Sequence, residues 1–478
     1  MTSWHGRRVL VIGAGRQGTA LAAYLARHGA EVVLNDRRPQ EALAAARERL
    51  ADWPIHWVVG GHPLEALEGV DLVCPSGGVP LTLPLIQEAV RRGVLLSNEA
   101  QIFLEAAPCP VVGITGSAGK TTTTTLVGRM AASAAGEVAG VSYSHDEAQA
   151  ADLPRRWRKV WVGGNIGNPL IADVDAMQPD DLAVMELSSF QLELMTRSPQ
   201  VAAVLNITPN HLDRHGTMAA YTAAKARIVD FQGPEDWAVL GREDPGAWGL
   251  RPRIRGRLLT FGVAPPPRGV VGTFVSGDTL RLRTSSGERD LFPREVLRLR
   301  GEHNLRNGLA AAAVAHALGL TPAHMRAGVE GFAGVPHRLE LVRELDGVAW
   351  YNDSIATAPE RAMAAIRSFV EPIVLLAGGC DKKLPWDAWA QLVRQRVRVL
   401  IAFGEARDLI LEALAQAEGP LPEQVLRCDT LEEAVRAAYH AARPGDVVLL
   451  SPGGTSFDEF RDFAERGARF RQWVEELP

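Results

Sequence analysis

The chain has 478 residues, 46% of them apolar, and this length exceeds what one hydrophobic core supports, so three domains are expected. Lys plus Arg number 51 against 56 Asp plus Glu, a formal net charge of −5 with no basic run, which argues against a nucleic-acid partner; no 18-residue apolar run argues for membrane insertion. Four separated cysteines, Cys74, Cys109, Cys380 and Cys428, read as buried thiols in a reducing compartment, and with no apolar leader after Met1 the expected location is the cytoplasm.

Arg8–Ile12 reads as a strand, followed by Gly13-x-Gly15-x-x-Gly18 and a helix from Thr19 to His28. A second strand, Glu31 to Leu34, ends at Asp36, so the segment carries the dinucleotide-type fingerprint with an acid about 20 positions on for a ribose hydroxyl. Close helix–strand packing alone would equally explain the third glycine. The strand Leu72–Cys74 leads to the turn Pro75-Ser76-Gly77-Gly78-Val79-Pro80, which either offers backbone N–H groups to a phosphate or is a plain Pro/Gly turn. Ala106 to Pro110 reads as a linker.

Val111 to Thr125 is the most informative stretch. A β-branched strand enters a turn with Gly116, Ser117, Ala118 and Gly119, then Lys120, Thr121 and Thr122 open a helix. The glycines let backbone N–H groups converge on phosphate oxygens, Lys120 adds a full charge, and the Thr121 hydroxyl suits a metal. Ile114 stands where the eight-residue phosphate-loop pattern has its first glycine. Gly163 to Pro169 is a glycine-rich turn, and the strand Leu182–Met185 delivers Glu186 to its C-terminal tip, where a Mg²⁺ ligand or a helix-capping acid would sit. Another strand, Ala202 to Ile207, ends in Thr208-Pro209-Asn210-His211. The helix Ala219 to Phe231 carries Lys225 among alanines, where its pKa is expected to fall.

Residues 237–300 read as a peripheral sheet with strands at Arg257–Gly262, Thr279–Arg283 and Val296–Leu299. A helix then starts at Glu302, with Asn304 and Asn307 one turn apart to read an adenine edge or to cap and pack. After Gly334-Val335-Pro336, a third α/β unit places Asp353, Lys382 and Ser451 to Phe457 at strand tips, the edge where open α/β sheets bind ligands. Of the 51 basic residues only five are lysine: Lys120, Lys159, Lys225, Lys382 and Lys383. Such positions are candidates for a compact ammonium or an amine able to lose its proton, which guanidinium cannot replace.

With these residues assembled, the chain resembles the Mur ligases, ATP-dependent amide-forming enzymes of peptidoglycan assembly. The resemblance spans essentially the whole length. It is carried by Thr115 to Thr122, Gly164-Asn165-Ile166-Gly167, Glu186-Leu187-Ser188-Ser189-Phe190-Gln191-Leu192-Glu193, Asn206 to Arg214, His303 to Asn307, His337-Arg338, Asn352-Asp353-Ser354 and Gly378-Gly379. The Glu186 to Glu193 string and the short first domain are most similar to the family's glutamate-adding branch. The resemblance implies an α/β fold of three domains: a Rossmann-like UDP-substrate domain over 1–107, a central P-loop mononucleotide-binding α/β domain over 108–334, and a Rossmann-like amino-acid-binding domain over 335–478.

It further implies ATP on Gly116 to Thr122, with Asn304 and Asn307 at the adenine and Arg338 and Asp353 approaching the nucleotide. Two Mg²⁺ ions would lie among Thr121, Glu186, His211 and Lys225, with Lys225 carbamylated. Lys120, Asn165, Glu186, His211 and Lys225 would form the catalytic set, Asn165 holding the substrate carboxylate. UDP-N-acetylmuramoyl-L-alanine would sit on Gly15, Arg16, Gln17, Asp36, Arg37, Ser76, Gly77 and Gly78, and glutamate on Thr357, Lys382, Ser456 and Phe463. A monomer is expected. Closure of the three domains would bring the reactants together.

Two departures stand out. The family usually reads Asn-Asp-Ser-Lys-Ala-Thr where this chain has Asn352-Asp353-Ser354-Ile355-Ala356-Thr357, and an acid common before the histidine is Asn210. The first removes a cation near the reacting groups, for which Lys382 or Lys383 would compensate, and leaves the acceptor open to L-glutamate or another amino acid. Outside this class, an NAD-dependent oxidoreductase accounts for the first glycine fingerprint but not for the phosphate loop, and a nucleotide-gated binding protein accounts for the loop without catalysis.

Overall fold

The computed structural model describes residues 3–140, 154–299, 301–332, 334–382 and 384–478. The chain forms two compact units, residues 1–298 with 302–331, and residues 332–478 with 299–301.

The first unit holds two sheets. Strands β1 (Arg8–Ile12), β2 (Glu31–Asp36), β3 (Ile55–Val59), β4 (Leu72–Pro75) and β5 (Leu95–Leu96) form a parallel sheet in the order β3-β2-β1-β4-β5. The apolar runs of β1, β2 and β4 are buried on both faces, as parallel strands under helices require, while the edge strands β3 and β5 are partly exposed. The order reverses between β1 and β4, which puts the glycine fingerprint and the Ser76 turn side by side at the switch point.

The second sheet contains β6 (Val111–Thr115), β7 (Ala135–Gly140), β8 (Trp157–Gly164), β9 (Leu182–Glu186), β10 (Val201–Val204), β11 (Trp237–Gly241), β12 (Arg257–Phe261), β13 (Gly272–Ser276), β14 (Thr279–Thr284) and β15 (Gly287–Pro293). Its order is β15-β14-β13-β12-β11-β10-β6-β9-β8-β7. The strands expected to make a peripheral sheet instead extend the central one, with β13–β14 and β14–β15 antiparallel along its edge. Val296–Leu299 is not a strand: a 3-10 turn spans Arg294–Val296, and Leu297 tucks against Gly308, where a Cβ would come within 2.8 Å of it.

The two sheets share one core. Val9, Val11 and Leu21 belong to the same apolar cluster as Phe103, Val111, Met185 and Leu240. The expected linker is packed into this joint: the helix Glu99–Ala106 runs up to it, and Cys109 is buried. Asn98 donates to the Gln191 carbonyl at 2.6 Å and Arg16 to the Gly167 carbonyl at 3.1 Å, so polar contacts also cross from one sheet to the other.

The second unit contains β16 (Glu340–Leu345), β17 (Val348–Asn352), β18 (Ile373–Gly378), β19 (Val397–Phe403), β20 (Gln424–Arg427) and β21 (Val447–Gly453), in the order β16-β17-β21-β18-β19-β20. Among these strands only the β16–β17 pair is antiparallel. No helix among the described residues is long and apolar enough to cross a membrane.

Candidate active site

Sheet register assembles the first part of the site. Ile114 on β6 pairs with Glu186 on β9, which pairs in turn with Gly164 on β8, and Thr115 pairs with Val204 on β10. Four strand ends therefore open onto one edge, with the phosphate loop between two of them.

The loop's glycines are enforced by packing. Gly119, at φ +83°, caps the helix Lys120–Ala132, and a Cβ there would lie 2.2 Å from Asn307 Oδ1. The missing first glycine is answered by a buried Ile114 within the strand. Asn206, which opens one of the segments carrying the resemblance but is assigned no role there, pins the loop: its side chain accepts from the Ala118 N–H at 2.8 Å, and its carbonyl accepts from the Ser117 N–H at 3.0 Å. The Ser117 hydroxyl donates to the Thr208 carbonyl and lies 2.9 Å from the Tyr221 hydroxyl. Lys120 Nζ donates to the Gly116 carbonyl at 3.0 Å, and Thr122 is buried. Asn307 donates to Asn304 Oδ1 at 3.0 Å, so the two amides form a pair set against Gly119.

Beside the loop, Glu186 is 2% exposed. Thr121 Oγ donates to one of its oxygens at 2.8 Å and Asn165 Nδ2 to the other at 2.8 Å. Lys225 is 1% exposed, with Nζ donating to Thr115 Oγ at 3.2 Å and the Gly116 carbonyl at 2.9 Å. Burial drives its pKa well below the usual lysine value, the Lys120 charge lowers it further, and Glu186 opposes both. The expected fall is thus present, and its cause is desolvation more than the neighbouring alanines.

His211 stands in a different setting. It is exposed at φ +53°, capping the short helix Leu212–His215, and its ring meets Phe190 edge-on at 5.0 Å. Among the described residues no group of three or more His, Cys, Asp and Glu side chains is gathered as a metal site. Glu186 and the Thr121 hydroxyl, 2.8 Å apart, are oxygen donors of the kind Mg²⁺ takes.

At the first sheet's switch point, Gly15 has open space around it, whereas a Cβ on Gly18 would lie 1.8 Å from the Gly13 carbonyl, the signature of close helix–strand packing. Asp36 is buried. One oxygen accepts from the Ala14 N–H at 2.8 Å, and Arg38, missed in the sequence, bonds to both oxygens. Burial pushes this carboxyl up, but the Arg38 and Ala14 hydrogen bonds outweigh it and hold the pKa near 2. Asp36 thus braces the glycine turn, and Arg37 is the exposed neighbour. Ser76 Oγ donates to the Gly13 carbonyl at 3.1 Å, joining the two turns. Gln17, Ser76 and Gly77 line a shallow cleft with Asn98, Glu99 and Gln191. Burial pushes the Glu99 carboxyl up to about 7. Arg214 donates to the Gly78 carbonyl at 3.4 Å and stacks over Phe190, tying the His211 loop to this turn.

In the second unit Asp353 is buried, accepting from Ser451 Oγ at 2.9 Å and from the Leu339 N–H at 3.2 Å beside Arg338. Burial pushes it up to about 7. Lys382 Nζ donates to Thr357 Oγ at 3.2 Å. Ser456 is buried, and Phe463 opens the last helix with its ring edge-on to His337 at 6.3 Å. Arg466, one turn beyond Phe463 and unremarked in the sequence, is fully buried. It bonds to Ser354 Oγ, to the Ser354 carbonyl and to the Gly454 and Thr455 carbonyls. Lys383 lies outside the described residues.

A phosphate loop beside a buried acid and a buried lysine, on a three-sheet α/β scaffold, defines a nucleotide-binding protein equipped for phosphoryl chemistry. The chain matches the Mur ligase MurD-like N-terminal domain over residues 7–97, the Mur ligase middle domain over 114–315 and the Mur ligase glutamate ligase domain over 337–454. It belongs to the Mur ligase family. It is 43% identical over 470 residues to a UDP-N-acetylmuramoylalanine–D-glutamate ligase of Pelotomaculum thermopropionicum, covering 98% of this chain and 97% of that one. A ligase of the same name from Symbiobacterium thermophilum is 41% identical, with 98% of each chain covered. Among solved structures, the UDP-N-acetylmuramate-alanine ligase MurC of Thermotoga maritima shares the fold at TM-score 0.57 and 18% identity, over 98% of this chain and 99% of that one. The MurF ligase of Thermotoga maritima, solved in complex with ADP, does so at TM-score 0.52 and 18% identity over 100% of both chains.

Proposed function

We propose that this chain is an ATP-dependent ligase that joins D-glutamate to UDP-N-acetylmuramoyl-L-alanine in the cytoplasmic assembly of peptidoglycan precursors. The reading is carried by one observation: a lysine 1% exposed, its pKa lowered by burial, stands within hydrogen-bond reach of the same phosphate-loop carbonyl as Lys120. An oxidoreductase has no use for that arrangement. The full-length relatives bearing the ligase name support the same reading.

The chemistry proceeds in two steps. An oxygen of the substrate carboxylate attacks the γ-phosphorus of ATP, and ADP leaves, giving an acyl phosphate. The glutamate nitrogen then attacks the acyl carbon, gives up a proton, and expels phosphate as the amide forms. Backbone N–H groups of Gly116 to Thr122 and the Lys120 ammonium stabilise the charge that spreads over the transferred oxygens. Asn165 orients Glu186 and holds the substrate carboxylate, and Asn304 with Asn307 borders the nucleotide. Arg338 and Asp353 serve the nucleotide from the second unit. Gly15, Arg16, Gln17, Arg37 and the Ser76 to Gly78 turn take the UDP end, with Asp36 bracing them. Thr357, Lys382, Ser456 and Phe463 take glutamate.

Thr121 and Glu186 would hold Mg²⁺, with His211 and a carbamylated Lys225 completing two sites; the metal supplies charge neutralisation of the phosphates. A neutral Lys225 amine can bond the carbon of CO₂ and release a proton, replacing a repelling ammonium with anionic oxygens. Arginine cannot do this.

Phosphate release measured with UDP-N-acetylmuramoyl-L-alanine, ATP and D- or L-glutamate in parallel tests the assignment. Release is expected with D-glutamate and only weakly with L-glutamate. Release with L-glutamate or a non-acidic amino acid alone would overturn the acceptor.

A further inference from the structure

Glutamate brings two carboxylates to its subsite, and Lys382 supplies one cation. Two further cations act on Lys382. Burial lowers the Lys382 pKa most, followed by the positive charges of Arg361 and then Arg466. These two arginines differ in what they have left to offer. Arg466 is fully buried and its guanidinium is spent on Ser354, Gly454 and Thr455. Arg361 is exposed, and among the described residues its guanidinium makes no hydrogen bond or ion pair.

Its position is also informative. Arg361 lies in the first turn of the helix Pro359–Ile366, where its N–H donates to the Ala358 carbonyl at 3.0 Å, four residues beyond the Thr357 that holds Lys382. A cation in the first turn opposes the helix dipole, so the helix gains nothing from it. The helix start abuts the Ser451 to Ser456 turn: a Cβ on Gly453 would lie 3.7 Å from Pro359 Cα. On this same stretch Ile355 stands where a lysine is expected, so the segment would otherwise bring no cation of its own.

We infer that Arg361 is a specificity-determining residue that binds one carboxylate of the acidic acceptor while Lys382 binds the other. A guanidinium suits the task because its planar fork matches a carboxylate. The inference rests on the glutamate-ligase reading.

The test is steady-state phosphate release by the full chain carrying Arg361→Ala or Arg361→Lys. For Arg361→Ala the KM for D-glutamate should rise about ten- to a hundredfold, with the KM values for ATP and the UDP substrate unchanged, as for loss of one charge-assisted hydrogen bond. Arg361→Lys should recover part of the loss. The preference for D-glutamate over D-glutamine or D-alanine should shrink in Arg361→Ala. An unchanged KM for D-glutamate, or a rise confined to ATP, would refute the assignment. If the unaltered chain releases no phosphate with D-glutamate, the functional reading itself fails.

Discussion

Lys225 shows how one residue can be recognised from its type and explained only by its surroundings. As one of five lysines in an arginine-rich chain, it stands out as a position where an amine is needed. Its surroundings fit that need: at 1% exposure burial lowers the lysine pKa, the nearby Lys120 charge lowers it further, and both favour the amine that adding CO₂ would require. Lys225→Ala is expected to lose activity by about a hundredfold or more, the scale of losing a preorganised charge at the reacting centre. Adding a short carboxylate such as formate or propionate should restore part of it, and Lys225→Arg should stay inactive. An undiminished rate in Lys225→Ala would remove the metal-ligand role. Asp36 went the other way. Its place at the end of β2 marked it as a ribose acceptor, but Arg38 and Ala14 already claim its oxygens. Spacing shows where a carboxylate falls along the chain, not which donors reach it first.

At the level of elements, the phosphate loop was legible because its requirements are local: a β-branched strand, glycines, then a lysine at a helix start. The reasons for the individual glycines are not local. Gly119 must be glycine both for its φ of +83° and because Asn307, far along the chain, fills the space a Cβ would need. Gly119→Ala should cost about 1–2 kcal/mol from the left-handed backbone alone and raise the KM for ATP. Adding Asn307→Ala should relieve the clash but not the backbone term, so the double variant recovers only part of the stability, as thermal unfolding would show. Strands β13 and β15 carry no clear signal in the sequence, and Val296–Leu299 reads as a strand but starts within a 3-10 turn instead. Pairing partners decide an antiparallel edge, whereas residues 237–300 offer only weak alternation.

Over the whole molecule, the first and central sheets depend on a common core. Phe103 is fully buried in it, on the helix that joins the two sheets. Phe103→Ala is therefore expected to cost about 3–5 kcal/mol and to lower hydrogen-exchange protection in both sheets together. Loss confined to the first sheet would show that the two fold independently. That coupling was not visible beforehand, since Ala106 to Pro110 reads as a linker by composition.

Family, fold class and the identity of most candidate residues follow from the chain read alone, because glycine turns, strand tips and a lysine surviving among arginines are local signals. Which groups are free to bind was left to the tertiary structure. Arg466 and Asp36 are spent on internal partners, Lys225 has lost its water, and Arg361 keeps an open guanidinium where Ile355 offers no charge. Availability depends on what the fold brings within hydrogen-bond distance and what it shields from solvent, and residues far apart in sequence make that choice.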